Sequence, residues 1–421
     1  MTESLYPGVF SATLSSGLRV LVEEVPSSRS ASVGLWVNVG SRDDPESHPG
    51  LAHFLEHLLF KGTPSRDAIT ISREIDAIGG HLNGGTGKES TFYYADLPSD
   101  RLSSAIEILS DLVQHPVFAP EELERERGVV LEEIRGHDDD PEQCAYDLFN
   151  AGLWHESHPL SRPVLGEKAT IEEVRRGTLV DYHQRFYPPQ NMVLAVCGAV
   201  EAREIVDHVE GLFPASPHAD ALTKRTLPRL KSGRNYYEQK NAQTHIYLGL
   251  PGPDGKDEDR FALEVVNTVL GGGMSSRLFR LIREERGLAY AVSSSAFRYS
   301  DVGIWLIYAG VAPHNAQETS EIMLDQLGKI ERDGISPNEL DLAKAKLRGN
   351  LILDLETNSN RMARLGSAAI TGQEILSPDE LIVRLDAVSM EDTSRAIARF
   401  TRLDCMNLAI VGPGDTNVVN R

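Results

Sequence analysis

The stretch "GLAHFLEHLLFKG" at 50–62 carries three polar side chains in an otherwise apolar run. His53, Glu56 and His57 stand at positions i, i+3 and i+4, which share one face of a helix. Burying two imidazoles and a carboxylate is costly unless these groups find partners. A divalent metal ion is such a partner, because two histidines one helical turn apart can both bind Zn²⁺ through imidazole nitrogen. The run therefore predicts a buried metal-binding helix.

A catalytic zinc ion takes three protein ligands and leaves one position for water. Glu56 would stand beside that position and take the proton of the attacking water. The third ligand must come from another segment, and the acidic stretch "APEELERERGVVLEEIRGH" at 119–137 is the best candidate. Glu126 and Glu133 are seven residues apart there and share a helix face. Spacing alone leaves Glu132 open as an alternative to Glu133.

The elements that must position these residues occur twice along the chain. In the first half, alternating or apolar segments predict strands at 18–25, 32–40, 90–97 and 191–200, and the acidic helix begins near a proline. The second half repeats that order of elements. The aperiodic, proline-containing region 215–234 suits a linker.

This organisation predicts an α+β fold of two homologous domains, each a mainly antiparallel mixed sheet packed with helices. The predicted boundaries are 1–214 for the first domain, 215–234 for the linker and 235–421 for the second domain.

The second copy serves as an internal control for the candidate metal ligands. Aligning the prolines that begin the two acidic helices puts Ala343 opposite Glu126 and Asn350 opposite Glu133. The counterpart of the first helix, "DRFALEVVNTVLGG" at 259–272, contains no histidine. A shared fold therefore does not need these side chains, which favours a chemical role over ordinary core histidines.

Composition excludes some classes of function. The chain has 421 residues and a net charge of −20, which disfavours binding to the phosphates of nucleic acid. No apolar stretch approaches the length of a membrane span, and the start "MTESLYPG" does not resemble a secretory signal. We therefore expect a cytoplasmic protein that does not use a membrane.

The segments "GLAHFLEHLLFKGT" and "ERERGVVLEEI" closely resemble the pitrilysin family of metallopeptidases, whose inverted zinc motif is H-x-x-E-H. The chain is similar over its whole length to the half-length bacterial branch related to mitochondrial processing peptidase. The resemblance implies a zinc endopeptidase with one Zn²⁺ per chain, bound by His53, His57 and Glu133. It also implies that Glu56 is the catalytic base, that Glu126 supports the ligands, and that Glu133 rather than Glu132 is the third ligand.

A second block, "LGGGMSSRLFRLIREERGLAY" at 270–290, resembles the family segment in which an arginine and a tyrosine lie seven residues apart. The resemblance implies that Arg283 and Tyr290 bind the substrate peptide and stabilise the developing oxyanion. Taken alone, the residues would instead favour a surface arginine and an ordinary core tyrosine.

A third block, "GGHLNGGTGKESTFYYADL" at 79–97, resembles the family's edge strand beside the zinc ion. The resemblance implies that a substrate peptide adds to this edge as a further strand, near Asn83, Gly84 and Thr86. Family members usually have Asn-Ala followed by Thr here, whereas this chain has two glycines before its threonine.

The expected partners are peptides or unfolded polypeptides, cleaved in an enclosed chamber. Because this chain carries both the zinc motif and the Arg/Tyr pair, the resemblance implies a self-sufficient homodimer in which Arg283 and Tyr290 serve the partner's zinc site. Two alternatives stay open: one subunit, catalytic or not, of a heterodimer, and a scaffold that binds peptides without cutting them.

Overall fold

The computed structural model of the chain describes residues 2–155, 158–215 and 225–413. These residues form two sheets, of seven and five strands. The strands are β1 (Glu3–Tyr6), β2 (Val9–Thr13), β3 (Arg19–Glu24), β4 (Ser30–Val37), β5 (His81–Thr86), β6 (Thr91–Pro98), β7 (Met192–Gly198), β8 (Gly233–Glu238), β9 (Thr244–Gly252), β10 (Ala289–Arg298), β11 (Gly303–Val311) and β12 (Asn407–Gly412).

Helices connect and cover these strands. They are α1 (Leu51–Leu59), α2 (Ala68–Ala77), α3 (Leu102–Gln114), α4 (Pro120–Asp138), α5 (Pro141–Leu153), α6 (Lys168–Glu173), α7 (Arg176–Phe186), α8 (Ala202–Glu210), α9 (Arg260–Leu270), α10 (Ala316–Asp333), α11 (Pro337–Asp354), α12 (Asn358–Ile370), α13 (Pro378–Asp386) and α14 (Met390–Phe400). A π-helix spans Phe279–Glu285. Short 3₁₀ turns lie at Ser41–Asp43, Ser99–Arg101, Pro159–Ser161, Pro189–Asn191, Pro313–Asn315 and Leu403–Cys405. None of the helices in the described part of the chain is long and apolar enough to cross a bilayer.

The two sheets share one topology. The first has the order β1-β2-β3-β7-β4-β6-β5, and the second has the order β10-β11-β9-β12-β8. The series β3-β7-β4-β6-β5 and β8-β12-β9-β11-β10 match strand for strand. In each series the first pair is parallel and the others are antiparallel. The predicted α+β class, with two homologous and mainly antiparallel mixed sheets, is confirmed.

The chain forms two compact units that are not continuous in sequence. Unit 1 comprises Met1–Gly136, Pro163–Arg225 and Leu353–Ile375, and unit 2 comprises His137–Arg162, Thr226–Ile352 and Leu376–Arg421. The predicted boundaries differ from these units, because they assign each half to one stretch of chain. Residues 216–224 of the predicted linker lie outside the described residues, so the linker stays a prediction.

Two helices account for the discontinuity. Helix α5, from the first half of the chain, packs on β9 and β12, where Phe149 and Leu153 join Tyr247 in a buried cluster. Helix α12, from the second half, packs on β4 and β7, where Met362 and Leu365 surround Trp36. Each helix thus buries its apolar face on the sheet of the other half, which supplies about 25 cal/mol per Å² of apolar area removed from water.

The main core of unit 1 lies on the opposite face of its sheet, beneath α1, α3 and α7. Of the nine residues of α1, all but His57 are buried. Fully buried Phe54 and Leu55 tie the helix to this core. The prediction of a buried helix with one polar stripe therefore agrees with the structure.

Candidate metal centre

The first turn of α1 is held by a carboxylate six residues upstream. Asp44 Oδ2 accepts a hydrogen bond from the Gly50 amide at 2.8 Å, and Asp44 Oδ1 accepts one from the Ala52 amide at 2.9 Å. These are donors that a helix N-terminus leaves without a partner. Gly50 has φ = 92°, a left-handed conformation that glycine adopts without the steric cost of a Cβ. Burial raises the pKa of Asp44 to about 7.

The two histidines of α1 face each other. Their Nε2 atoms lie 3.2 Å apart, and the rings meet edge to face. Glu133 Oε2 lies 3.6 Å from His53 Nε2 and 3.5 Å from His57 Nε2. No other group of three such side chains able to hold a metal ion occurs in the described part of the chain.

The spacing of these three atoms fits a zinc ion. Bonds of about 2.0–2.1 Å put two ligand atoms of a tetrahedral zinc site about 3.3–3.4 Å apart. The observed separations of 3.2, 3.5 and 3.6 Å bracket that value. Two imidazoles and one carboxylate are also a donor set that catalytic zinc sites use. The His53 nitrogen that faces the centre is Nε2, and buried His53 Nδ1 has no hydrogen-bond partner among the described residues.

Glu126 orients His57 from behind. His57 Nδ1 donates a hydrogen bond to Glu126 Oε1 at 3.0 Å, which leaves the lone pair of Nε2 free for a metal. Lys61 Nζ lies 2.7 Å from Glu126 Oε2. Burial opposes ionisation of Glu126, but the hydrogen bonds from His57 and Lys61 lower its pKa overall. A buried carboxylate is thus kept charged behind the imidazole.

The surroundings of the two imidazoles move their pKa values in opposite directions. Burial, with a smaller contribution from His57, lowers the pKa of His53 to about 4. Burial also disfavours the charged form of His57, but the Glu126 hydrogen bond and the nearby carboxylates raise its pKa overall. Since a metal needs neutral imidazole, the lowered pKa of His53 favours metal binding, whereas the raised pKa of His57 makes binding weaker as pH falls.

Geometry distinguishes Glu133 from its neighbour, as spacing could not. Glu132 ion-pairs with Arg135 at 2.7 Å, and its side chain is 68% exposed. Glu133 points to the imidazoles, and its only recorded ion pairs in the described part of the chain are with them. The structure thus brings together His53, His57 and Glu133, with Glu126 behind them.

Glu56 stands beside this triangle. It is buried, and its Oε2 accepts a hydrogen bond from Thr86 Oγ1 at 3.2 Å. Burial is the main reason that its pKa is raised. A Cβ on Gly84 would come within 3.0 Å of Glu56 Oε1 and 3.1 Å of Phe60, so a bare backbone leaves space for the carboxylate. A raised pKa makes the Glu56 carboxylate a stronger base, which suits it to accept a proton and later return it.

The predicted edge strand is β5, the last strand in the order of the first sheet. Among the described residues it pairs only with β6, so one side of its backbone has no strand partner there. Asn83 is exposed on it, and its Oδ1 accepts the Gly84 amide at 2.8 Å. Thr86 reaches Glu56, a contact that the sequence did not predict.

Arg283 and Tyr290 lie in unit 2, in the π-helix and at the start of β10. The Arg283 guanidinium stacks over the Tyr290 ring at 4.7 Å and over the Phe279 ring at 4.9 Å. Tyr290 is 79% exposed. The alternative of a core tyrosine is therefore wrong, and the two predicted residues contact each other.

Three residues of the site were missed from the sequence. Lys61 follows His57 by one helical turn, and that spacing was a signal for its contact with Glu126. Asp44 lies six residues before Gly50, the N-cap of α1, and a negative charge is favourable near a helix N-terminus. No sequence signal indicates the third, Arg127, which bonds to backbone carbonyls distant in sequence.

Family models match both halves of the chain. The model described as insulinase (peptidase family M16) matches residues 19–168, and the model described as peptidase M16 inactive domain matches residues 173–347. The first match contains the metal centre. The second contains Arg283 and Tyr290 and lacks all three candidate ligands.

Several named proteins are similar to this chain. A protein named uncharacterized zinc protease from Mycobacterium tuberculosis is 40% identical over 95% of this chain and 92% of its own length. Another from Bacillus subtilis, named uncharacterized zinc protease YmxG, is 34% identical over 95% of this chain and 97% of its own length. Two crystal structures are similar to this chain with a TM-score of 0.90 and 22% sequence identity. One is a peptidase M16 inactive domain from Pseudomonas fluorescens, and the match covers 97% of this chain and 98% of that chain. The other is a protease from Helicobacter pylori, and the match covers 97% of this chain and 100% of that chain.

Proposed function

Because the chain belongs to the peptidase M16 family, we propose that it is a zinc-dependent endopeptidase acting on peptides or unfolded polypeptides. The observation that carries the proposal is the close approach of three ligand atoms beside the buried carboxyl group of Glu56. The relatives named zinc proteases support the same role.

In this proposal His53, His57 and Glu133 hold one Zn²⁺ per chain. Zinc bound there would supply a Lewis acid that polarises a peptide carbonyl and makes water more acidic. Glu56 takes the proton of the attacking water on Oε1 or Oε2 and then returns it to the leaving amine. Thr86 keeps one oxygen of that carboxyl group oriented through its hydroxyl hydrogen bond.

The unpaired side of β5 is the proposed binding place for the substrate backbone. An extended peptide added there would use main-chain hydrogen bonds near Asn83 and Gly84, so specificity for side chains would be broad. A segment must be extended to lie along a strand edge, which favours peptides and unfolded chains as substrates. We propose that Arg283 and Tyr290 contact the peptide and the developing oxyanion.

The proposed assembly is a homodimer that encloses the substrate, with Arg283 and Tyr290 serving the partner's zinc site. Support comes from the presence of both functional groups in one chain. Mixing Glu56→Gln protein with Arg283→Ala protein tests sharing, because each inactive variant would supply what the other lacks. Recovered activity supports sharing between protomers, and none after exchange of protomers contradicts it.

Metal analysis combined with digestion of an unstructured peptide tests the function. We expect one zinc ion per chain in both wild type and Glu56→Gln, and a loss of activity of about 10²–10⁴-fold in the variant. Equal cleavage by both would contradict the role of Glu56. Zinc without any cleavage by wild type would favour a non-catalytic scaffold, in line with the inactive-domain description of the match to 173–347.

A further inference from the structure

Helix α4 brings Glu133 to the metal centre, but Glu133 has little support of its own. Its side chain is 44% exposed, and its recorded ion pairs within the described residues are those to the two imidazoles. Its carboxylate therefore depends on how α4 is rotated about its axis. A turn of about 10° would move a group held about 6–7 Å from the axis by about 1 Å, taking 2.3 Å as the Cα radius. An error of that size disrupts a metal site.

Two adjacent residues of α4 hold the helix against such a rotation. Glu126 grips His57 and Lys61 on one face. Arg127 lies about 100° further round the helix. It donates hydrogen bonds to two carbonyls at the C-terminal end of α6, from Nη1 to Ile171 O and from Nη2 to Val174 O at 2.8 Å.

The same guanidinium also contacts the metal-binding helix. Arg127 Cζ lies 5.6 Å from the centroid of the Phe54 ring, within the range of a cation–π contact. Phe54 is fully buried and follows His53 directly in α1. The Glu124 carboxylate accepts two further hydrogen bonds from Arg127, at 3.1 Å from Nε and at 3.0 Å from Nη2. The Arg127 side chain is only 12% exposed.

We propose that Arg127 is a positioning residue of the zinc centre: bonded to the carbonyls at the C-terminal end of α6 and stacked on Phe54, it sets the rotation of α4 and thereby the distance of Glu133 from both imidazoles. The inference rests on the metal centre proposed above. It requires neither that the protein cleaves peptides nor that it forms dimers.

The test is the dissociation constant for zinc, measured by competition with a chelating dye on metal-free protein well below its melting temperature. Arg127→Met should weaken zinc binding about 10–100-fold, as loss of a supporting contact does in other metal sites. Arg127→Lys should weaken it less, because one ammonium cannot reach all the acceptors of a guanidinium. The control is Arg135→Met, which removes a 61% exposed arginine of the same helix and should change affinity less than twofold.

A double-mutant cycle separates positioning from general destabilisation. If Arg127 acts through Glu133, adding Arg127→Lys to Glu133→Gln should change zinc affinity little further. An equal loss in both backgrounds overturns the proposal, as does Arg127→Lys with wild-type affinity. If Arg127→Met does not fold, the lysine variant decides alone. Wild-type zinc binding without peptide cleavage would contradict the peptidase function and leave this inference standing, whereas wild type that binds no zinc overturns the metal centre itself.

Discussion

Helices α1 and α9 hold the same place in two units of the same topology, yet they treat their buried polar residues differently. On α9, Asn267 Oδ1 accepts a hydrogen bond from Trp305 Nε1 at 2.9 Å, and Thr268 Oγ1 donates to Glu264 O at 2.9 Å. Both polar groups are satisfied by the protein. On α1, the two imidazole Nε2 atoms face each other and a carboxylate, an arrangement that a shared metal ion would satisfy.

The acidic helices differ in the same way. Where α4 carries Glu126 and Glu133, α11 carries buried Ala343 and exposed Asn350. Both helices begin with a proline followed by acidic residues, so the helix itself needs neither glutamate. The comparison teaches that the fold tolerates the loss of all these side chains, which supports the metal centre proposed for unit 1.

Converting α4 to the α11 pattern at the third ligand should have the largest effect. We expect Glu133→Asn to weaken zinc binding by more than about 10³-fold and to remove peptidase activity, because one of three protein ligands is lost. Its metal-free melting temperature should stay within about 2 °C of wild type, since exposed substitutions rarely matter to stability. Zinc affinity by chelator competition and calorimetry measure both quantities. Near-wild-type zinc affinity would show that Glu133 is not a ligand.

The next effect is at Glu126. Glu126→Ala copies Ala343 of the second copy and leaves His57 and Lys61 without their shared carboxylate. We expect zinc binding about 10–100-fold weaker, because loss of a supporting carboxylate frees the imidazole to rotate and lowers its basicity. The measurement is the same zinc competition. The control Glu121→Ala removes an exposed glutamate of the same helix and should leave affinity unchanged. An equal effect of both changes would contradict the comparison.

The two exchanged helices predict a third effect, on folding. A Cβ on Gly366 of α12 would lie 2.3 Å from the Trp36 ring, so the ring must move. Gly366→Ala should reduce the free energy of unfolding by about 1–3 kcal/mol, as overpacking does. In the control Gly349→Ala, on α11, the Cβ meets nothing within 4 Å, and we expect stabilisation of up to about 1 kcal/mol. Urea unfolding measures both, and a stabilising Gly366→Ala would contradict the tight packing.

The smallest effect distinguishes the first turns of α11 and α4. Hydrogen bonds from Arg277, helped by Ser336, lower the pKa of Glu339 to about 2. This pKa lies below the value of about 4.3 expected in the unfolded chain. The ionised Glu339 therefore stabilises the fold fully above about pH 4.3, and this contribution is lost as pH falls towards 2. Glu339→Gln should therefore cost less than about 1 kcal/mol at pH 7, since the group is partly exposed.

Urea unfolding at a series of pH values checks this prediction. The difference between wild type and Glu339→Gln should shrink steadily between pH 4.5 and pH 2. The matching residue of α4, Glu122, pairs with a largely exposed Arg125, so Glu122→Gln should show a smaller difference at every pH. A difference for Glu339→Gln that does not depend on pH would contradict the charge-based explanation.

The sequence could predict which side chains come together at the candidate metal centre, because helical periodicity is a local property. The spacing of His53, Glu56 and His57 sets a common face, and the spacing of Glu126 and Glu133 does the same. The choice between Glu132 and Glu133 needed either the family resemblance or the coordinates, because two neighbours on one helix differ only in direction.

Other features could not be predicted, for reasons that are equally physical. Nothing local tells whether α5 or α12 covers its own sheet or the other one, since both sheets offer similar apolar surfaces. The π-helix at Phe279–Glu285 reads as an ordinary helix in its pattern of residues. The hydrogen bonds from Arg127 to Ile171 and Val174 end on backbone carbonyls. Every residue has such a carbonyl, so the sequence does not indicate which ones accept.

The exchange of α5 and α12 has a consequence for any attempt to study the halves apart. A fragment ending before α12 would expose Trp36 and Val193 to water, since Met362 and Leu365 would be missing from its sheet. A fragment that begins after α5 would leave Tyr247 exposed in the same way, since Phe149 and Leu153 would be missing from its sheet. Each fragment alone is expected to aggregate through the exposed apolar face of its sheet. The two fragments produced together are expected to cover these faces with α5 and α12 and to fold. A break in the chain between α5 and α12 should therefore be tolerated, whereas separation of the two fragments should not.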